Sequence, residues 1–393
     1  MEEIPRTILV LGGLLLLGLA ADGLARRTPL PRVTLLLLLG AAAGPAGLAV
    51  LPTEGTAWFR VVTDLALVMI GFLLGGEFTR RHVREIRGTV FALAAVQSLA
   101  TAAAVIGGLL ALGVDPRLAL PLGGIAVATA PAATLAVIRD SGAEGRFTDV
   151  LKGIVAVDDV IGVLVFSLLL ALTGLAAGPG PETGSLLFAL REIGGAVAVG
   201  LALGLPAAAL TGRLQSGEAT LEEALALILL CTGLAMALEV SPILSAMVMG
   251  ATVANLATHH ERPFHEIESV EWPFLVVFFL LAGASLDLGA LRTTGTAAVG
   301  YVVFRTVGKV AGPLLGARLL TRDRAAAPWL GVALLPQAGV ALGLALAAAL
   351  RFPSTGPTLL NVVVASTVVF ELVGPVFTRL ALRRADAGGA GSG

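Results

Sequence analysis

The sequence predicts an all-α polytopic membrane protein of about 13 transmembrane helices, on three observations. The first is composition: 56% hydrophobic residues, 13% charged residues and a mean hydropathy of +0.93 over 393 residues exceed what a soluble core requires. The second is that apolar stretches of helix length recur along the whole chain, divided by charged or Pro/Gly-rich breaks. The third is an acidic pair, Asp158 and Asp159, in the middle of the apolar stretch from Thr148 to Thr173. An ionised carboxylate at the bilayer centre costs at least a few kcal/mol, so the pair marks an ion or proton pathway.

A helix crosses the hydrocarbon core in about 20 residues, and the spans are predicted in order. The first is 7–25, whose apolar run lacks the basic leader and small-residue cleavage site of a signal peptide. Spans 33–51, 57–76 and 88–113 follow, with Asp64 inside the third and Glu77 beside Arg80 and Arg81 at its end. Span 117–139 is interrupted at Thr129-Ala130-Pro131-Ala132-Ala133-Thr134, and 148–174 carries the acidic pair. Span 185–211 stands in the middle, then 221–238 and 241–257, divided at Glu239 to Pro242. His259, His260 and His265, with Glu261, Glu266 and Glu268, read as a solvated loop before span 272–288, with pH sensing by the histidines as the alternative. Span 295–319 carries Arg305 and Lys309, 325–350 is interrupted at Pro336-Gln337-Ala338-Gly339, and 356–379 contains Glu371. Asp64 and Glu371 each cap, bridge helices or line an access funnel. Residues 385–393 read as a disordered tail.

Thirteen spans accommodate two inverted-topology six-helix repeats, 1–6 and 8–13, around span 7. The two interruptions fall in spans 5 and 12, which that scheme pairs. Proline removes a backbone donor and clashes with the preceding turn, so both helices are expected to unwind near mid-membrane and cross as discontinuous helices. Odd-numbered connections and the C-terminal tail, counted with the adjoining span ends, hold eighteen Lys and Arg residues, the N-terminus and even connections, counted likewise, six. That excess puts the C-terminus in the cytoplasm and the N-terminus outside. The net charge of −1, with no basic patch interleaved with aromatics, argues against a nucleic-acid partner. No cofactor motif is present, and Cys231 alone offers no disulfide or metal framework.

Successive helical residues point about 100° apart, so Asp158 and Asp159 cannot both face one ligand. One is expected to face a water-filled cavity and hold a cation, the other a protein partner. Thr129, Thr134 and unwound carbonyls offer the further hard oxygens that an alkali cation takes. Arg305 and Lys309 lie one turn apart on one face of span 11. A lysine in low dielectric can release its proton whereas an arginine does not, so Lys309 is the better switch and Arg305 a permanent counter-charge. Only two of the 26 basic residues are lysines, which makes one at mid-membrane a departure from the chain's own habit.

These residues resemble the monovalent cation:proton antiporter superfamily, most closely its double-aspartate, NapA-like sodium/proton branch. The likeness runs through Gly71-Phe72-Leu73-Leu74-Gly75-Gly76-Glu77, Ala130-Pro131-Ala132-Ala133-Thr134, Val157-Asp158-Asp159-Val160, Ser241-Pro242-Ile243-Leu244, Phe278-Phe279-Leu280-Leu281-Ala282-Gly283, Arg305-Thr306-Val307-Gly308-Lys309 and Leu335-Pro336-Gln337-Ala338-Gly339. It implies that Asp159 binds the transported Na⁺ (or Li⁺) or protons, and that Asp158 is salt-bridged to Lys309 until the cation arrives. Thr129 and the interrupted helix beside it would add oxygens and dipole stabilisation, in a discontinuous-helix site of Thr129, Pro131, Thr134, Pro336 and Gln337. It further implies a homodimer in the inner membrane, serving pH homeostasis, with lipid and the exchanged ions as its partners. The implied dimerisation domain comprises 1–76 and 221–288, the linker helix 185–211, and the core transport domain 88–174 and 295–384. Electroneutral members carry Asn-Asp where this chain has Asp-Asp, which favours electrogenic exchange.

Three other readings are weighed. A Kef-type potassium/proton antiporter shares the Arg-Thr-Val-Gly-Lys style of motif but usually appends a soluble nucleotide-binding domain. An intramembrane aspartyl protease places its acids on separate helices, one within Gly-x-Gly-Asp, a pattern this chain lacks. A passive cation channel would move ions without protons.

Overall fold

The structure, a computed structural model, describes residues 3–28, 32–45, 47–48, 57–76, 79, 88–176, 186–211, 220–257, 261–284, 290–320, 327–352 and 354–389. These form fifteen helices and no strand: α1 Glu3–Ala25, α2 Arg32–Ala43, α3 Ala57–Gly76, α4 Gly88–Ala111, α5 Pro116–Ile125, α6 Pro131–Ser141, α7 Arg146–Ala176, α8 Leu186–Thr211, α9 Thr220–Ala237, α10 Pro242–Leu256, α11 Glu261–Ala284, α12 Ala290–Leu320, α13 Ala327–Ala333, α14 Gly339–Arg351 and α15 Gly356–Gly389. Both predicted interruptions are present, between α5 and α6 and between α13 and α14. Among the described residues, seven helices are long and apolar enough to cross a membrane by length and composition, the first over 7–25 and the last over 356–385.

Local chemistry sets the helix ends. Asp115 caps α5, accepting the Arg117 N–H at 2.8 Å, with Pro116 at the first helical position. Pro131 opens α6 after an extended Ala130, and Gly142 closes it at φ 61, a conformation that favours glycine. Ser241 caps α10 ahead of Pro242, and Glu239 turns at φ 55, so the chain divides α9 from α10 there.

The chain forms two compact units. The first comprises 1–20, 52–85 and 177–280, where α3, α8 and α9 pack against α10. Its core holds Val68, Met69, Phe72, Met249, Val253 and the free Cys231, with Phe264 stacked on Phe72 at 4.6 Å. The second comprises 21–51, 86–176 and 281–393. The 186–211 helix therefore groups with the first unit and α2 with the second, a partition that differs from the ranges the resemblance implies.

Within the second unit, α12 packs along α4, α5 along α7, and α15 along α12, α13 and α14. Small residues make the α4–α12 contact close. A Cβ on Gly308 would lie 2.7 Å from Thr101 Cα, and one on Gly312 2.7 Å from Gln97 Cα. The two faces of α12 are chemically opposite: Val299, Val303 and Val307 are exposed, whereas Tyr301, Arg305 and Lys309 are fully buried. Apolar residues outside and charges inside invert the soluble pattern, as a bilayer solvent requires.

Three expectations are corrected. The stretch 261–271 is the first part of α11, so His265, Glu266 and Glu268 stand on a helix and not a loop; His259 and His260 lie outside the described residues. Helix α2 ends at Ala43, well short of residue 51. Helix α15 continues to Gly389, so 385–389 is helical where composition pointed to a disordered tail, and 390–393 lies outside the described residues.

Candidate functional site

The two interruptions meet in the second unit. The Ala130 N–H donates to the Pro336 carbonyl at 2.9 Å, joining the unwound segment after α5 to the one after α13. Unwinding frees backbone carbonyls that would otherwise stay inside a helix, and buried carbonyls need partners. Two cations from α12 supply them. Arg305 donates from Nε to Ala126 O at 3.1 Å, from Nη2 to Ala128 O at 2.8 Å and from Nη1 to Leu335 O at 2.8 Å. Lys309 Nζ takes the carbonyl between them, Val127 O, at 2.6 Å. Three successive carbonyls at the C-terminal, negative end of α5 are thus held by positive charge. The Arg305 guanidinium also lies 4.3 Å over the Phe370 ring of α15.

Lys309 links this junction to Asp158 on α7. Its ammonium lies 2.9 Å from Asp158 Oδ2 and 2.8 Å from Thr129 Oγ1, in addition to its bond to Val127 O. The Thr129 hydroxyl accepts from Lys309 and donates to Asp158 Oδ2. On the other side, Gln97 Nε2 at 2.8 Å and Ser98 Oγ at 3.0 Å donate to Asp158 Oδ1. Asp158 therefore accepts four hydrogen bonds, two on each oxygen, and Asp158, Lys309, Gln97 and Ser98 are all fully buried. A carboxylate so filled has no lone pair left for a cation unless a donor departs. The close α4–α12 contact is what brings Gln97 and Lys309 to the same carboxylate.

Of the expected residues, the structure gathers Asp158, Lys309, Arg305, Thr129 and the Pro131 and Pro336 interruptions into one junction. Asp159 lies on α7, and its side chain is outside the described residues. Thr134 is buried in the first turn of α6, its hydroxyl without a hydrogen-bond partner among the described residues. Gln337 is buried and donates from Nε2 to the Tyr301 hydroxyl at 2.9 Å. Asp64 and Glu371 are buried elsewhere, Glu371 accepting from the Thr34 hydroxyl at the start of α2. Sequence reasoning missed Gln97, Ser98 and Tyr301. The available signal was an uncapped polar pair, Gln97-Ser98, in the middle of an apolar span.

Residues 12–383 match the family described as sodium/hydrogen exchanger, transmembrane. The chain is 24% identical over 312 residues to AmhT, an ammonium/H⁺ antiporter subunit of Alkalihalophilus pseudofirmus, covering 78% of this chain and 77% of that one. It is 28% identical over 212 residues to sodium/hydrogen exchanger 7 of Arabidopsis thaliana, covering 50% of this chain but 18% of the much longer plant protein. Its fold is similar to that of the sodium proton antiporter MjNhaP1 from Methanocaldococcus jannaschii, with a TM-score of 0.72, 20% identity and coverage of 97% and 98%. With the family match running over nearly its whole length, this multi-pass membrane protein belongs to the sodium/hydrogen exchanger family.

Proposed function

We propose that the protein exchanges Na⁺ or Li⁺ for H⁺ by alternating access, with the cation and protons competing for Asp159. The observation that carries this reading is the saturation of Asp158. With Lys309, Thr129, Gln97 and Ser98 on its oxygens, Asp158 serves as the counter-charge of Lys309, and this reading gives the transported species to its neighbour in sequence, Asp159. A carboxylate that holds either a cation or a proton, but not both, couples the two fluxes by competition. Occupancy must stay modest in affinity so that the ion can leave. The cation's arrival disturbs the Asp158–Lys309 pair, and the loss of a proton from Lys309 makes the exchange electrogenic.

The same reading assigns transport to the unit that bears the junction and dimerisation to the other, in a homodimer. It sets thirteen crossings of a cell inner membrane, each interrupted helix counting once, with the N-terminus outside. A Kef-type potassium exchange, a protease and a passive channel have no comparable support. A second substrate, ammonium, is favoured by the likeness to AmhT over 78% of the chain.

The test is a pH gradient imposed across proteoliposomes and challenged with Na⁺, Li⁺, K⁺ and NH₄⁺ in turn. Dissipation by Na⁺ and Li⁺ that vanishes in Asp159→Asn is expected. Dissipation by NH₄⁺ alone, measured against protein-free vesicles, favours the second substrate, and Na⁺ flux indifferent to the pH gradient would sink the antiport reading.

A further inference from the structure

Tyr301, Arg305 and Lys309 follow one another at intervals of four residues on the buried face of α12 and engage the crossing in sequence. Lys309 serves the first interruption, Arg305 both, and Tyr301 the second, through Gln337. Gln337 has in the second interruption the place that Thr129 has in the first. Each stands one residue before the alanine, Ala338 or Ala130, that precedes the following half-helix. Thr129 is fully engaged by Lys309 and Asp158, whereas Gln337 is only half engaged. Its Nε2 donates to the Tyr301 hydroxyl at 2.9 Å, and its Oε1 is completely buried with no hydrogen-bond partner among the described residues. Exchanging the two ends of the amide does not resolve this. The hydroxyl would then donate to the oxygen and leave the nitrogen without an acceptor.

A buried amide oxygen without a donor is rare in folded proteins, and a water or an ion is what completes such a group. Three features identify its chemistry. A neutral carbonyl-type oxygen is a hard donor, the kind an alkali cation takes when it sheds water. Its position is fixed, because Tyr301, itself fully buried on α12, anchors the other end of the amide. Its neighbour Pro336 is joined to Ala130 by the 2.9 Å backbone bond, so Gln337 adjoins the interruption that contacts Asp158.

We infer that Gln337 Oε1 is a ligand of the transported alkali cation, and that its anchoring by Tyr301 sets the selectivity among cations. The inference rests on the antiport reading above. An oxygen held at one end by a buried hydroxyl cannot follow cations of different radius, so it discriminates between Na⁺ and K⁺ better than a mobile one.

The experiment measures the cation dependence of exchange in proteoliposomes for wild type, Gln337→Leu, Gln337→Glu and Tyr301→Phe, together with detergent melting curves. Gln337→Leu is expected to raise the half-saturating Na⁺ concentration about tenfold while the maximal rate stays within about twofold, the loss of one ligand bond. Gln337→Glu, which keeps an oxygen there and adds charge, is expected to lower it. Tyr301→Phe is expected to reduce the Na⁺-over-K⁺ preference about threefold. A half-saturating concentration unchanged in Gln337→Leu, or in Gln337→Glu where the leucine variant does not fold, overturns the inference, as does a melting change without a change in cation dependence. Failure of the wild type to exchange at all counts against the antiport reading, whereas normal wild-type exchange with unaltered variants counts against Gln337 alone.

Discussion

Removing Lys309 is the perturbation whose size can be worked from the geometry. Lys309→Met deletes hydrogen bonds to Val127 O, Thr129 Oγ1 and Asp158 Oδ2 and strips a fully buried carboxylate of its counter-charge. Breaking a buried ion pair by removing one partner costs about 3–5 kcal/mol. Asp158 keeps three donors, Gln97, Ser98 and Thr129, which puts the expected loss at the lower end, about 3 kcal/mol. An unfolding entropy of about 2.1 cal/mol/K per residue over 393 residues gives about 0.8 kcal/mol per degree, so the melting temperature should fall by about 4 °C. Asp158→Asn alone should cost a similar amount, because it orphans the ammonium. The double variant should cost far less than the sum, with a coupling of about 2–3 kcal/mol. Thermal unfolding of the four proteins in one detergent closes the cycle. Additivity within about 0.5 kcal/mol would refute the claim that the pair acts as a unit. In vesicles, Lys309→Gln should also lose the dependence of exchange on membrane potential.

Other perturbations separate the remaining parts. Arg305→Lys keeps the charge but cannot reach three carbonyls that diverge across both interruptions, so two are left unpaired at about 1–3 kcal/mol each; expression and melting should both fall, and a variant as stable as wild type contradicts the bracing role. Gly312→Val places branched carbon against Gln97 Cα, forcing α4 from α12 at about 1–3 kcal/mol and weakening the Gln97 contact to Asp158; unchanged melting would argue that the two helices are not in close contact. Thr34→Val removes the hydroxyl donated to buried Glu371 and should cost about 1–3 kcal/mol, relieved by also changing Glu371 to Gln. Absence of that relief would show that the two side chains are independent.

The helical fold and both interruptions were legible because their signals are unambiguous. Long apolar runs can only be satisfied internally as helices, and Pro131 and Pro336 break runs at matched places. The start of α11 was not, since hydropathy finds the part of a helix that lies in lipid and is blind to its continuation beyond the apolar stretch. Lys309 stood out as a charge, but Ser98 did not. Thr173, Thr232, Thr252 and Thr306 each bond the carbonyl four residues back on their own helix, and a hydroxyl alone does not distinguish Ser98, which bonds Asp158, from these; only its pairing with Gln97 marks it. Tyr301 escaped notice for a related reason: a lone tyrosine in an apolar span reads as packing until Gln337 is seen against its hydroxyl.

The central claim is that one carboxylate takes the cation and the protons in turn. It is tested most directly by the half-saturating Na⁺ concentration for exchange, measured at a series of pH values with saturating rates recorded alongside. Competition predicts that this concentration climbs as pH falls, by up to about tenfold per unit for one proton and more for two, while the saturating rate stays nearly constant. A half-saturating concentration that does not move with pH, in a protein that still exchanges, would contradict the account.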